Sequence, residues 1–175
     1  MRTYFEFASR APVLGVTLVV AVILLVAVFP ALPICGDMLD VKSGYTYDEA
    51  LSALDGYGAQ GRRVYAWSSA TLDTVLPVVY VSFLAGLVYR FRPRECLWWL
   101  AYLPVATGVL DLCENVQVVL MLIQYPDIDA GQVASASLFT LSKRYAVLVC
   151  LMLAVTLMAI SVGGRALRRV GGRTP

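Results

Sequence analysis

Residues 12–33 carry no charged side chain and consist mainly of Val, Leu and Ala. A helix needs about 20 such residues to cross a hydrocarbon core of about 30 Å. The run exceeds the roughly 7–15 apolar residues of a secretory signal. Leu32-Pro33-Ile34-Cys35 resembles a lipoprotein cleavage box, yet bulky Ile34 stands where a small residue is required. We read it as an uncleaved anchor.

Three further apolar segments follow. One covers residues 70–89 and closes on Arg90, Arg92 and Arg94. The next, residues 97–124, opens with Trp98, Trp99 and Tyr102 at the depth interfacial rings favour. The last covers residues 134–162 and precedes a basic tail, residues 163–175. The chain is 59% hydrophobic and 15% charged, with a mean hydropathy of +0.74. A soluble domain averages about 25% charged residues, so this surface suits lipid rather than water. The expected fold is all-α: a single membrane domain forming a four-helix transmembrane bundle.

Charge placement fits four spans. Arg2, Arg10, Arg90, Arg92, Arg94, Arg165, Arg168, Arg169 and Arg173 would share one side, with Lys42, Arg62 and Arg63 opposite among most of the acidic residues. Because Lys and Arg concentrate on the cytoplasmic side, both ends are expected in the cytoplasm, in a plasma or bacterial inner membrane. The outer loop, residues 36–69, contains Thr46-Tyr47-Asp48-Glu49, a capping box that should start a short interfacial helix ended by Gly56 in a left-handed cap.

The chain has no His, which removes the commonest metal ligand and general base. Four scattered cysteines without a C-x-x-C pair make a zinc site or disulfide framework a poor fit. The cysteines read mostly as buried fillers, and whether Cys35 and Cys113 pair stays open. No metal or cofactor is expected. The net charge of +2 gives no reason to invoke nucleic acid.

Charged groups inside the apolar segments cost at least about 2.5–3.5 kcal/mol each, so they should face the bundle interior and pair. Asp111, Glu114 and Asn115 share one face of the third span with Pro104 and Gly108. Lys143 and Arg144 lie in the fourth. At 1.5 Å per residue Asp111 is roughly 21 Å above Leu97, and Lys143 roughly 13 Å below Ala134, which brings them to similar depth. Lys143 and Arg144 are about 100° apart on the helix, so one should pair inward while the other snorkels outward. With both counted, two anions meet two cations. Asp73 and Arg62 complete the candidate cluster, Arg62 reaching an anionic head group or the carboxylates. Tyr57, Tyr65, Trp67, Tyr80 and Tyr89 read as interfacial belt and packing.

Two likenesses are set aside. Asp55-Gly56-x-x-Ala59 followed by Asp73 suggests the CDP-alcohol phosphotransferases, but Gln60, Ser69 and Pro77 stand where that motif needs Arg, Gly and Asp. Small multidrug exporters share four short spans, yet carry their essential Glu in a first span that is uncharged here. The chain does resemble a group of small four-span membrane proteins through Tyr57-Gly58-x-x-Gly61-Arg62-x-x-Tyr65, then Asp73 and Pro77, then Asp111-x-x-Glu114-Asn115. That resemblance covers residues 47–145 and implies no activity.

Three functional readings stay open: a protein that binds or transports a small polar or amphipathic ligand, a lipid- or sterol-modifying enzyme with Asp111 and Glu114 as acid and base, or a structural subunit. Beyond the bilayer, the partners that fit are a small-molecule or lipid ligand and a homo- or hetero-oligomer. Ala136, Thr140, Val147 and Cys150 form a candidate partner face on the fourth span.

Overall fold

The computed structural model describes residues 1–171, with side chains through Gly164. Arg173 and the side chains of Arg165, Arg168 and Arg169 in the expected tail therefore lie outside the described residues. Among those described there is no β-strand. The elements are α1 (Arg2–Ala8), α2 (Ala11–Ile23), α3 (Tyr47–Gly56), α4 (Gly58–Ala70), α5 (Leu72–Phe91), α6 (Tyr102–Gln124) and α7 (Ala130–Gly171). Four stretches are long and apolar enough to cross a membrane: Ala11–Ala31, Gly58–Phe91, Glu95–Gln124 and Ala130–Gly164. The chain is an integral, multi-pass membrane protein built as an all-α bundle.

Helices α5, α6 and α7 form the packed centre, and α2 leans on α5 at the edge. Lipid exposure of the first span is correspondingly high, with Val16, Val19, Ile23 and Val26 all outward. Near its end α2 loosens into a π-helical turn over Leu24–Val28 and a 3-10 turn over Phe29–Ala31. Pro30 has no N–H to offer the carbonyl of Val26, so regular hydrogen bonding cannot continue.

The seven residues of α1 fold back beside α2 and pack on α5. Sequence periodicity marked this segment only as a charged flank, whereas Phe5 is fully buried beside Leu84, Val88 and Tyr89. Its ring meets Tyr102 edge to face at 5.1 Å. Tyr4 and Ser82 share a 2.6 Å hydrogen bond, and Arg90 Nη1 donates to the Ser9 carbonyl at 2.8 Å.

At the acidic end the outer loop is more helical than expected. The capping box forms as read: Glu49 N–H donates to Thr46 Oγ1 at 3.3 Å, and Thr46 N–H donates to Glu49 Oε2 at 2.7 Å. Helix α3 buries Ala50 and Leu54 against Tyr57, Met121 and Val133, so it caps the bundle as well as facing the interface. The expected left-handed stop at Gly56 is instead at Gly58, with φ +64°. From there α4 is helical through Ala70, and only a break at Thr71 separates it from α5. At this joint Thr71 Oγ1 joins its own N–H in donating to Trp67 O (2.7 Å), and Thr74 Oγ1 donates to Ser69 O (3.1 Å). At the other end α7 runs past Gly163-Gly164 to Gly171.

Removing the cap should be measurable. Thr46→Ala is expected to cost about 1 kcal/mol, read as a lowered unfolding midpoint in detergent. The backbone N–H and hydroxyl of Thr46 hold the Glu49 carboxyl below its usual range. That support is present at neutral pH and lost as pH falls through the lowered pKa.

The candidate partner face on α7 is not free. Ala136, Thr140 and Cys150 are buried, and α7 packs on α6. All four cysteines are unpaired; Cys150 is buried, Cys113 half-buried, and Cys35 and Cys96 exposed.

Candidate functional site

The polar cluster is assembled by spacing on three helices. Asp111 and Glu114, one turn apart on α6, face α7, where Lys143 reaches both. Its Nζ lies 3.2 Å from Asp111 Oδ1 and in direct contact with Glu114 Oε2. Thr140 Oγ1, one turn before Lys143, donates to Glu114 Oε1 at 2.5 Å. Tyr80 on α5 donates to Asp111 Oδ2 at 2.9 Å. Close approach of α5 and α6 depends on Gly108, where a Cβ would stand 2.6 Å from Val81 Cγ2.

Arg144 departs from the cluster. It turns outward and donates to Ser43 Oγ at 2.5 Å. Arg62 also stays away: its Nη1 donates to the Leu54 carbonyl at 2.8 Å, closing the end of α3, while its guanidinium stacks 4.1 Å from the Tyr125 ring. Two anions therefore meet one cation, not two, and the cluster around Lys143 carries a formal charge of −1.

Asp73 and Asn115 are linked through the backbone. Pro77 lacks the N–H that would serve the Asp73 carbonyl one turn earlier. Asn115 Nδ2 donates to that carbonyl instead, at 2.7 Å. The Asp73 carboxylate has no hydrogen-bond or ion-pair partner among the described residues, although the residue is 4% exposed.

What that carboxylate faces is a cavity of about 460 Å³. Asp73, Asp111 and Lys143 line it from the bundle, Leu25, Phe29 and Leu32 from the residues just after α2, and Asp37 and Asp40 from the loop above. Four aspartates and one lysine set its charge. Glu114 and Asn115 do not line it.

The loop residues were missing from the sequence reading. Tyr57 donates its hydroxyl to the Asp37 carbonyl (2.6 Å), and Tyr65 donates to Asp40 Oδ1 (2.9 Å). Gly61 lets the Tyr57 ring approach, since its own Cβ would lie 3.3 Å from Tyr57 Cβ. Tyr57, Gly58, Gly61, Arg62 and Tyr65 thus each help shape the acidic end. Nearby, burial pushes the Tyr45 hydroxyl up to about 12, so it stays neutral. Tyr80, expected as belt and packing, and Thr140, expected on a partner face, instead join the cluster. Their spacing carried the signal: Tyr80 is two turns from Asp73 on one face, and Thr140 one turn from Lys143. Asp37 and Asp40 carried none, because a loop path has no periodicity.

No protein-family model, curated protein or solved structure matches this chain. The site must be read from its own chemistry.

Proposed function

We propose that this protein binds, or carries across the membrane, a small amphipathic cation in the cavity between α2 and the α5–α6–α7 centre. The observation that carries the reading is the cavity's contact with the Asp73 carboxylate, which has no partner of its own. A buried carboxylate is costly unless paired or hydrogen-bonded. Among the lining groups only Lys143 is cationic, and it is occupied by Asp111 and Glu114. An ammonium group on a ligand would supply the missing charge at Asp73. Leu25, Phe29 and Leu32 would take its apolar part.

The Lys and Arg excess favours a topology with the cavity on the outer side and both ends of the chain in the cytoplasm. The motif resemblance to small four-span membrane proteins belongs to the same reading and adds no activity. An acid–base enzyme using Asp111 and Glu114 is supported less, since Glu114 is fully buried away from the cavity.

Octylammonium, octanoate and octanol test the proposal on the full chain in a nonionic detergent. Octylammonium is expected to raise the melting midpoint, with octanoate and octanol inert. Asp73→Asn should weaken octylammonium binding about tenfold or more, as expected for losing a charge-assisted hydrogen bond. Equal effects of the three probes, or unchanged affinity in Asp73→Asn, would sink the reading.

A further inference from the structure

On the other side of Asp73 the seam between α5 and α6 opens to lipid as a groove in two parts. The lower part, about 320 Å³, is walled by Val78, Val81, Val109 and Leu112. The upper part, about 350 Å³, adjoins it at Leu112 and contains Ser69, Thr74 and Asn115. From Val105 to Leu120 the groove follows α6 for roughly 22 Å at 1.5 Å per residue. It shares no lining residue with the acidic cavity.

Asn115 gives the upper part its chemistry. Its Nδ2 is committed to the Asp73 carbonyl that Pro77 leaves free. This fixes the amide's orientation, because the reverse would set two oxygens against each other. Asn115 Oδ1 is then a buried acceptor without a partner, on a residue that is 4% exposed. Bilayer hydrocarbon contains no donor to satisfy it. A lipid bearing a hydroxyl on its head group does. The apolar lower groove suits such a lipid's chain, while Val116 and Leu120 flank the upper end from the lipid-facing side.

We propose that the α5–α6 seam is a binding site for one bilayer lipid whose head group donates a hydroxyl hydrogen bond to Asn115 Oδ1. The occupant is a lipid rather than a protein segment, because the groove lies on the lipid-facing wall of an integral membrane protein and is mostly apolar along its length, with Ser69, Thr74 and Asn115 grouped at its upper end.

Native mass spectrometry of the full chain in detergent, titrated with dioleoylglycerol or with its O-methyl ether, provides the test. Dioleoylglycerol is expected to bind as a single equivalent, about tenfold more tightly than the ether, since the ether cannot donate to the buried acceptor. Ala70→Trp and Val116→Trp fill the upper groove from exposed positions without touching the Asn115–Asp73 bond, and each should abolish that preference. Asp73→Asn should retain it, which separates this site from the cavity. Equal binding of dioleoylglycerol and its ether to the wild-type chain overturns the proposal, whatever the folding of the variants. So does a preference that survives both tryptophans.

Discussion

Lys143→Met is expected to cost about 3–5 kcal/mol, the range for removing one partner of a buried ion pair. Among the described residues Lys143 is the only cation in contact with Asp111 and Glu114, and its side chain is 15% exposed against 4% and 0% for theirs. Without it, Asp111 keeps the hydrogen bond from Tyr80 and Glu114 the one from Thr140. Neither bond supplies charge. Two nearby carboxylates would be left in a setting that tolerates one poorly. The loss should therefore be recovered by neutralising them: Lys143→Met combined with Asp111→Asn and Glu114→Gln is expected to regain most of the stability. Arg144→Met is the matched control, because Arg144 is exposed and bonded to the loop; its cost should stay within about 0.5 kcal/mol. Unfolding of the purified protein in mixed micelles measures all three variants. If Lys143→Met proves no worse than Arg144→Met, the pair does not hold α6 to α7.

How much of this could be read beforehand depended on whether periodicity was available. The four apolar stretches and the all-α class follow from hydropathy, which samples many residues at once. That only one of Lys143 and Arg144 turns inward follows from their angular offset, which does not say which; the similar depth of Lys143 and Asp111 follows from residue counts along the two spans. Arg62 could not be placed that way. Its partners, the Leu54 carbonyl and the Tyr125 ring, come from a helix end and a remote loop, neither marked by spacing. The helical character of α4 was hidden because Gly58, Gly61, Ser68 and Ser69 are weak helix formers, and tertiary packing of Tyr65 overrides that preference. Packing also explains α1. A seven-residue helix is too short to hold itself, and Phe5 secures it from a position that no repeat predicts.

Placing a side chain at Gly86 should produce the other large effect. A Cβ there would lie 2.4 Å from the Ala8 carbonyl oxygen, 2.8 Å from its carbon and 2.9 Å from Leu14 Cδ2. The first two are backbone atoms, so no rotamer change can relieve them. The neighbouring Ser9 carbonyl is already tied to Arg90, which limits how α1 can slide. Gly86→Val is expected to cost about 3 kcal/mol, at the upper end for overpacking a core. It should also undock α1 rather than merely shift it, because Phe5 and the helix must move together. Cys150 reports this directly: it is 2% exposed in the cluster that Phe5 completes, so its thiol should become reactive to maleimide when α1 leaves. Mapping the modified cysteine by mass separates it from the exposed Cys35 and Cys96. Gly15→Val is the control, since a Cβ at Gly15 meets nothing within 4 Å. Because Leu14 is part of the same contact, displacement should reach α2 and the turns that follow it, which supply Leu25 and Phe29 to the acidic cavity. Gly86→Val should then weaken octylammonium binding although the altered residue does not line the cavity. A protected Cys150 and an unchanged melting midpoint in Gly86→Val would show that the α1–α5 contact yields instead of governing the position of the first span.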